Sequence, residues 1–180
     1  INQTGSDTAS TNNTITIQAE KNQTAQVTIS DVNIDASSEG KAAISTGGDG
    51  NVTIELDGDN TAKSGWDHAG VEKNNGGNLT ITDADGDGAL NANGGSYGAG
   101  IGGGIYGKGD NITINGSAEV TAKGGDKAGD YGAGIGGGFR GSGSDITISD
   151  NAEVAAKGGA YSAGIGGGLY GNGSNITISG

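Results

Sequence analysis

The stretch GAGIGGG occupies residues 98–104, returns unchanged at residues 132–138 and recurs as SAGIGGG at residues 162–168. Glycine loses more conformational freedom on folding than any other residue, so a folded chain keeps a glycine run only where the backbone geometry requires it. Three copies at similar spacing indicate an internal repeat, and a repeat of this length constrains the whole fold.

Apolar residues separated by one position recur along the chain in three columns. The first column contains Val27/Ile29, Val52/Ile54, Leu79/Ile81, Ile112/Ile114, Ile146/Ile148 and Ile176/Ile178, at spacings of 25 to 34 residues. The second contains Ile34/Ala36, Asn60/Ala62, Leu90/Ala92, Val120/Ala122 and Val154/Ala156. The third contains Ala42/Ile44, Ala69/Val71, Ala99/Ile101, Ala133/Ile135 and Ala163/Ile165.

This period of two is typical of half-buried strands. Three short strands per repeat, joined by Gly, Asn and Asp turns, predict an all-β fold, a three-sided parallel β-solenoid of about five coils. The residue before the first strand of each coil is Gln26, Asn51, Asn78, Asn111, Asp145 or Asn175. Such a column predicts side-chain hydrogen bonds from one coil to the next.

The 180 residues are expected to form one domain with a thin, elongated core, because only 31% of them are hydrophobic. Residues 1–26 are assigned to an N-terminal cap and first strand, and residues 27–180 to the coils. The chain stops within a regular repeat, so we expect the natural protein to continue with further coils. The open end predicts a monomer or a weak end-to-end dimer.

Composition excludes several classes of partner. A net charge of -12 and a pI near 4.1 disfavour nucleic acid, since no basic stripe displaces counterions. The absence of cysteine excludes a disulfide scaffold and a thiolate zinc site. No apolar run approaches the roughly 20 residues of a membrane span, so membrane insertion is not expected.

The parity of the glycine repeat makes a further prediction. Ala99 and Ile101 point inward, so the glycines that flank them point outward and leave one face of the solenoid as bare backbone. Two readings remain open. Either the protein's own loop GGIYGKG folds back, with Tyr97 or Tyr106 covering the glycines, or a ligand lies flat on the strip.

Aromatic residues bracket the glycine strand in two columns. Tyr97, Tyr131 and Tyr161 precede it, Tyr106, Arg140 and Tyr170 follow it, and Trp66 lies at the corresponding turn two coils earlier. Rings repeated beside a flat strip would form a stacking platform for sugars or a set of anchors for a protein, and a purely structural stack is the alternative. These seven residues are the candidate binding site.

The segment DADGDGAL begins like a calcium loop, with Asp83, Asp85 and Asp87 followed by Gly88. An EF-hand is excluded, because Gly94 stands where a bidentate glutamate is required. Calcium held by these three carboxylates is one reading, and a solvated acidic turn is the other.

Catalytic constellations are weak. His68 has no second histidine or cysteine beside it and is predicted to be a turn residue. A polysaccharide lyase, which would use an arginine or lysine base near bound calcium, is disfavoured because Arg140 replaces tyrosine at its repeat position. A glycosidase is disfavoured because Glu119 and Glu153 form a repeating column, which is a poor sign of a unique catalytic pair. We predict that the chain is not an enzyme. An outward column of threonines makes ice binding an alternative to consider. The neighbouring outward column disfavours it, because its side chains differ too much in charge and shape to match an ice lattice.

The cadence YGAGIGGG…GNGSNITISG resembles repeats in large cell-surface proteins of Gram-positive, often gut-dwelling bacteria. Over residues 76–180 the chain is similar to the clostridial carbohydrate-binding β-helix family. The resemblance implies a right-handed parallel β-helix, an extracellular, cell-surface location and a non-catalytic, adhesin-like domain that binds polysaccharide or host glycan, with calcium as a candidate cofactor. The alternatives are a host protein partner, such as immunoglobulin or mucin, and a purely structural stalk.

Overall fold

The computed structural model describes residues 1–3, 9–125 and 129–180, so residues 4–8 of the predicted cap lie outside the described residues. Within these ranges every regular element is a β-strand, and the strands form three parallel sheets. The described residues thus confirm the predicted all-β, three-sided solenoid.

The strands are numbered in chain order and fall into three sheets. The first sheet contains β2 (Thr24–Ser30), β5 (Asn51–Asp57), β8 (Leu79–Asp83), β11 (Ile112–Gly116), β14 (Gly143–Ile148) and β17 (Gly173–Ile178). The second sheet contains β3 (Asn33–Asp35), β6 (Asp59–Lys63), β9 (Ala89–Asn93), β12 (Glu119–Lys123) and β15 (Glu153–Lys157). The third sheet contains β1 (Ile15–Gln18), β4 (Ile44–Gly47), β7 (Val71–Glu72), β10 (Ile101–Gly102), β13 (Ile135–Gly136) and β16 (Ile165–Gly166).

Each coil passes through the first, second and third sheets in turn, and each strand pairs with the same strand of the neighbouring coils. Ile112, for example, lies opposite Leu79 on one side and Ile146 on the other. In the described ranges, five full coils run from β2 to β16, and β17 begins a sixth. Every coil therefore buries its apolar residues against the coils above and below.

The core is a narrow shaft of aliphatic side chains. Ile101, Ile114 and Ile135 are completely buried, and burying an isoleucine side chain stabilises a fold by about 1.5–3 kcal/mol. At β17 the shaft opens to solvent, where Ile176 is 38% and Ile178 67% exposed. Burial in this fold thus depends on having a coil on both sides.

The first coil is displaced by two residues from the predicted register. Val27 lies opposite Ile54 rather than Val52, and Ile34 lies opposite Ala62 rather than Asn60. The strands β2 and β5 are seven residues long, and each has three inward positions. A shift of two keeps every apolar residue inward and lets Ile29 meet Leu56.

The predicted polar column is present, although Gln26 is not part of it because Thr24 lies opposite Asn51. Asn51 Oδ1 accepts a hydrogen bond of 2.9 Å from Asn78 N, and Asn175 Nδ2 donates one of 3.0 Å to Asp145 Oδ1. Asp145 and Asn175 also have φ angles of 54° and 52°. Asn and Asp tolerate this left-handed conformation, so the column serves the turn as well as the ladder.

The N-terminal residues contact all three sheets. Asn2 bridges Ser30 and Thr11 bridges Ile34, and β1 pairs with β4 in the third sheet. This segment therefore covers the first coil as a partial turn of its own, and β2 already begins at Thr24.

Most glycines of the repeat are buried, so the prediction of a bare glycine face is wrong. A Cβ atom on Gly98 would lie 2.0 Å from His68 O, and one on Gly102 would lie 2.0 Å from Gly136 O. Gly102 also has a φ of +132°, a conformation that is essentially restricted to glycine. The physical reason for these glycines is the close approach of backbone from neighbouring segments.

The covering backbone comes from the chain itself. The segments after β10, β13 and β16 hydrogen-bond to the segments before the strands of the preceding coils, as in Ile105 N to Asp67 O (2.6 Å) and Phe139 N to Tyr97 O (2.8 Å). The chain itself therefore fills the space beside the glycines, but the reading in which the loop GGIYGKG and the ring of Tyr97 or Tyr106 cover them is wrong for Gly98 and Gly102. The atoms nearest these two glycines belong to the backbone of His68 and Gly136 on neighbouring coils.

We expect Ile135→Asp to unfold the domain, because a buried, unpaired carboxylate costs several kcal/mol against a typical total of about 5–15 kcal/mol. Circular dichroism and thermal melting measure the loss. The control is Thr177→Asp on the exposed strand β17, which should melt close to the parent. A normal melting temperature for Ile135→Asp would contradict the core described above.

The glycine contacts predict an asymmetry between two positive-φ glycines. Gly102→Ala should destabilise by more than about 3 kcal/mol, because strain and a backbone clash combine. Gly40 has a φ of +59° with nothing within 4 Å of its Cβ position, so Gly40→Ala should cost only about 1 kcal/mol. Equal shifts in chemical denaturation would show that backbone contact is not what requires Gly102.

Candidate functional site

Six of the chain's seven aromatic residues lie in one cluster. Trp66 is 6.4 Å from Tyr97 between ring centroids, and Tyr97 is 6.0 Å from Tyr131. Phe139 lies at the centre, with its ring centroid 5.5 to 6.0 Å from those of four tyrosines. The aromatic cluster consists of Trp66, Tyr97, Tyr106, Tyr131, Phe139 and Tyr170.

The cluster joins the two predicted aromatic columns because the loops that carry them are hydrogen-bonded to each other. Tyr97 precedes its third-sheet strand, Phe139 follows the strand of the next coil, and Phe139 N donates to Tyr97 O. Leu169 N donates to Tyr131 O at 3.0 Å in the same way one coil later. Rings from both columns therefore meet in one cluster.

Exposure divides the cluster into a support and a presented surface. Tyr97, Tyr131 and Phe139 are half-buried, and their ring contacts stabilise the loops by about 0.5–1.5 kcal/mol a pair. Trp66 is 69%, Tyr106 63% and Tyr170 76% exposed. These three rings are held at one end by the cluster and are available to a partner.

Arg140 belongs to the same surface. Its Cζ lies 5.2 Å from the ring centroid of Phe139 and 5.8 Å from that of Tyr170, which are cation–π distances. The guanidinium brings five N–H donors among rings that are otherwise mainly apolar. The sequence places Arg140 in the column of Tyr106 and Tyr170, among the candidate binding residues, and the structure brings its guanidinium against Phe139 and Tyr170.

Three of these exposed side chains sit on strained backbone. Tyr106, Arg140 and Tyr170 occupy equivalent positions in successive coils, with φ angles of 60°, 60° and 66°. A residue with a Cβ atom in this conformation costs roughly 1–2 kcal/mol, which glycine would avoid. A large side chain kept repeatedly at such a position is an outlier that supports a role outside the fold.

Tyr161 is not brought into the cluster, although the repeat places it in a column with Tyr97 and Tyr131. It is 86% exposed, and in the described part of the chain its ring contacts no other ring. Its φ of 60° redirects the side chain, whereas Tyr97 and Tyr131 do not have positive φ angles. Trp66 also lies nearer to Tyr97 than predicted. It is one coil away rather than two, as the hydrogen bond from Tyr97 N to Trp66 O shows.

Sequence reasoning missed Phe139. It occupies the repeat position of Ile105 and Leu169, so it reads as one more apolar residue after the glycines. The available signal is that it is the chain's single phenylalanine and stands beside Arg140 in the tyrosine-bearing loop.

The acidic turn after β8 is organised by Asp83, which is completely buried. Its Oδ1 accepts hydrogen bonds from Asp85 N (3.2 Å) and Gly86 N (3.0 Å), and its Oδ2 accepts one from Gly88 N (3.0 Å). Burial alone would raise the pKa of Asp83, but the amide hydrogen bonds outweigh it and hold the pKa below its ordinary value. The hydrogen bond and charge of Asp87 raise the pKa of Asp85.

Asp83, Asp85 and Asp87 bring their ligand oxygens within 4.8 Å of one another. These are hard oxygen donors of the kind calcium prefers, but calcium takes six to eight such ligands. Both oxygens of Asp83 already accept bonds from the turn, so the three residues could supply only part of a coordination sphere. Calcium at this turn stays a prediction.

His68 lies beside the aromatic cluster and pairs with a buried carboxylate. Its Nδ1 is 2.8 Å from Glu72 Oε2, which also accepts a hydrogen bond from Ala69 N, while Glu72 Oε1 accepts one from Asn74 Nδ2. Glu72 is only 9% exposed. These contacts fix the loop that carries Trp66 and describe a structural pair.

In comparisons with known proteins, no protein-family model, curated protein or solved structure matches the chain. The described residues form no helix long and apolar enough to cross a membrane. The function is accordingly inferred from the arrangement of the site itself.

The Asp83 turn predicts a pH-dependent stability. The pKa of Asp83 is lower in the folded state, so its ionised form stabilises the fold above the unfolded pKa of about 3.9, and that stability is lost as the pH falls through the folded pKa. Asp83→Asn should lower the unfolding free energy at pH 7 by about 1–3 kcal/mol, because buried amides lose charged acceptors. The deficit should shrink below about pH 4.

Asp57→Asn, at an exposed carboxylate, is the matched control and should change the denaturation midpoint very little. A constant difference between Asp83→Asn and the parent from pH 7 to pH 3 would show that the charge of Asp83 does not stabilise the turn.

Proposed function

We propose that this chain is a non-catalytic, adhesin-like recognition module of a secreted or surface-displayed bacterial protein, and that its aromatic cluster binds polysaccharide or host glycan. The observation that carries the proposal is the convergence of six of seven aromatic residues on one surface, with Trp66, Tyr106 and Tyr170 mainly exposed. The buried glycines take no part, so the binding surface is the cluster rather than a glycine strip.

The chemistry of the cluster suits sugar rings. A pyranose ring presents a face of C–H groups that packs on aromatic rings, while its hydroxyls need polar partners at the edges. The tyrosine hydroxyls can donate and accept, and Arg140 adds several donors. A surface with a few placed polar groups among aromatic rings is typical of small-molecule recognition.

The solenoid holds this surface rigid. Each ring is attached to a loop that is hydrogen-bonded to the neighbouring coil, so little side-chain or loop ordering is left to occur on binding. Coils stack at about 4.8 Å, so equivalent rings recur at short intervals along the axis. A repetitive ligand could engage several of them, and weak contacts would then add through avidity.

Surface display and the absence of catalysis rest on the sequence. The GAGIGGG repeats resemble those of Gram-positive cell-surface proteins, and this supports an extracellular location. His68 and Glu72 are bonded to each other, which supports a structural role for the one histidine. Calcium at Asp83, Asp85 and Asp87 is proposed as an accessory that would stiffen the acidic turn.

A host protein such as immunoglobulin or mucin is the competing partner, because exposed Trp, Tyr and Arg side chains are also enriched where proteins bind each other. A stalk that only spaces other domains predicts that nothing binds. Screening the protein against a glycan array and against immobilised mucin and immunoglobulin, with and without calcium, separates these three readings.

We expect the double variant Tyr106→Gly/Tyr170→Gly to bind the array's glycan ligand at least about tenfold more weakly, because two of the three exposed rings are lost. Stability should stay within about 1 kcal/mol, since relief of left-handed strain at two positions offsets both the greater freedom of glycine in the unfolded chain and the two lost ring contacts with Phe139. Isothermal titration calorimetry and thermal melting measure the two effects.

Tyr161→Gly is the matched control. Tyr161 has the same left-handed φ of 60° and is more exposed, at 86%, but lies outside the cluster. This variant should bind like the parent. If it loses affinity as strongly as the double variant, or if the double variant binds normally, the aromatic cluster is not the contact surface.

A further inference from the structure

A groove of about 430 Å³ lies beside Trp66, where the strands of the second sheet end. Its lining includes Lys63, Asn93 and Lys123, together with Ser96. The first three are the last residues of β6, β9 and β12 and lie directly opposite one another in the sheet. They form one wall that runs across three coils, and this wall and Trp66 together are called the lysine groove.

The charge of this groove is unusual for the chain. The protein has 21 acidic and 9 basic residues, yet among the described residues that line the groove two are lysines and one, Asp130, is a carboxylate. Asp130 is buried, with 5% of its surface exposed. Because Lys63 is paired with Asp35, the positive charge that the groove offers to a ligand is chiefly that of Lys123.

The two lysines differ in their partners. Lys63 Nζ forms a 2.9 Å ion pair with Asp35 Oδ2, whereas Lys123 forms no ion pair with any residue that the structure describes. Lys123 also lies directly opposite Lys157 of the next coil, and like charges in this position repel. An anion beside Lys123 would relieve that repulsion.

The nearest acidic column does not cancel this field. Glu119 and Glu153 lie four residues before Lys123 and Lys157 on the same strands, which corresponds to about 13 Å of extended chain. Physiological salt screens exposed charges beyond about 8 Å. An anion at Lys123 is thus little repelled by Glu119 and Glu153.

Trp66 supplies the second half of the site. It is the chain's only tryptophan, 69% exposed, and it lines the groove as well as contacting Tyr97 at the end of the aromatic cluster. A sugar ring packed on the indole would bring its substituents towards the lysine wall. The volume falls within the range of pockets that hold small ligands.

We infer that the lysine groove binds an acidic sugar, with its ring on Trp66 and its carboxylate or sulfate at Lys123. This deepens the proposed function, on which it rests, by naming the class of glycan. Polymeric nucleic acid fits poorly, because the net charge of -12 opposes a long polyanion. A single anionic group needs only the local field.

The single tryptophan makes the test direct, since intrinsic tryptophan fluorescence reports on Trp66 alone. We would titrate the intact 180-residue chain with trigalacturonic acid, with a sulfated chondroitin tetrasaccharide and with neutral maltotriose. At least one acidic probe should change the fluorescence saturably, and its affinity should fall between about 0.02 M and about 0.15 M salt. Maltotriose should bind the groove at least about tenfold more weakly.

Lys123→Gln removes the charge and should weaken the acidic probe at least about tenfold, while Lys123→Arg should retain most of the affinity. Lys108→Gln, at an exposed lysine outside the groove, is the matched control and should bind like the parent. A response to the sulfated probe alone identifies sulfated sugars, and a response to trigalacturonate alone identifies uronic acids.

The inference is overturned if neither acidic probe changes the fluorescence, if maltotriose binds equally well, or if Lys123→Gln binds like the parent. Its failure is distinguishable from that of the proposed function. Array ligands that depend on Tyr106 and Tyr170 but give no Lys123 effect would leave the aromatic cluster standing and remove the groove. If binding of an acidic probe depends on Lys123 but no ligand is affected by the loss of Tyr106 and Tyr170, the groove stands and the aromatic cluster is removed as a binding surface.

Discussion

Close contact between the backbones of successive coils at the third sheet is the constraint on which the rest of the molecule depends. Where Gly98 meets His68 O and Gly102 meets Gly136 O, a single Cβ atom would occupy space that a carbonyl already fills. Because these positions have no side chains, the segment after a strand can hydrogen-bond to the segment before the strand of the preceding coil. That bond brings two separate aromatic columns together.

The same contact explains how a chain with so few aromatic residues presents a concentrated surface. Phe139 is anchored through its backbone to Tyr97 and touches rings on both sides, so exposed rings such as Tyr170 have a fixed neighbour. The left-handed conformation of Tyr106, Arg140 and Tyr170 opposes folding slightly in three successive coils. The packing of the solenoid provides the stability that makes this strain tolerable.

Much of the fold follows from the sequence, because side-chain alternation and repeat spacing are local signals. The columns around Ile101, Ile114 and Ile135 predict the sheets and the core correctly. Alternation cannot distinguish registers that differ by two residues, so Val27 was placed opposite Val52 instead of Ile54. The register depends on the length of β2 and on the pairing of a third apolar residue, Ile29, with Leu56. A motif of two alternating apolar residues carries neither piece of information.

The site was less predictable, since it depends on contacts between coils. The repeat indicates that Tyr97 and Tyr131 are stacked, but it also puts Tyr161 in their column, because a change in φ is invisible in the letters YSAG. The prediction of a bare glycine face assumed that a residue pointing away from the core is exposed to solvent. The space outside a strand can be filled by the chain's own backbone, and here the nearest atoms belong to neighbouring segments.

The direction of the aromatic cluster constrains any ligand that uses it. Trp66, Tyr97 and Tyr131 lie on three successive coils, so their rings follow the solenoid axis, with centroids 6.4 and 6.0 Å apart. The wall of Lys63, Asn93 and Lys123 crosses three coils in the same direction. Trp66 belongs to both surfaces. An extended ligand that lay along the axis would therefore contact several residues of the aromatic cluster and of the lysine groove. A ligand that circled a single coil would meet only one residue of each surface.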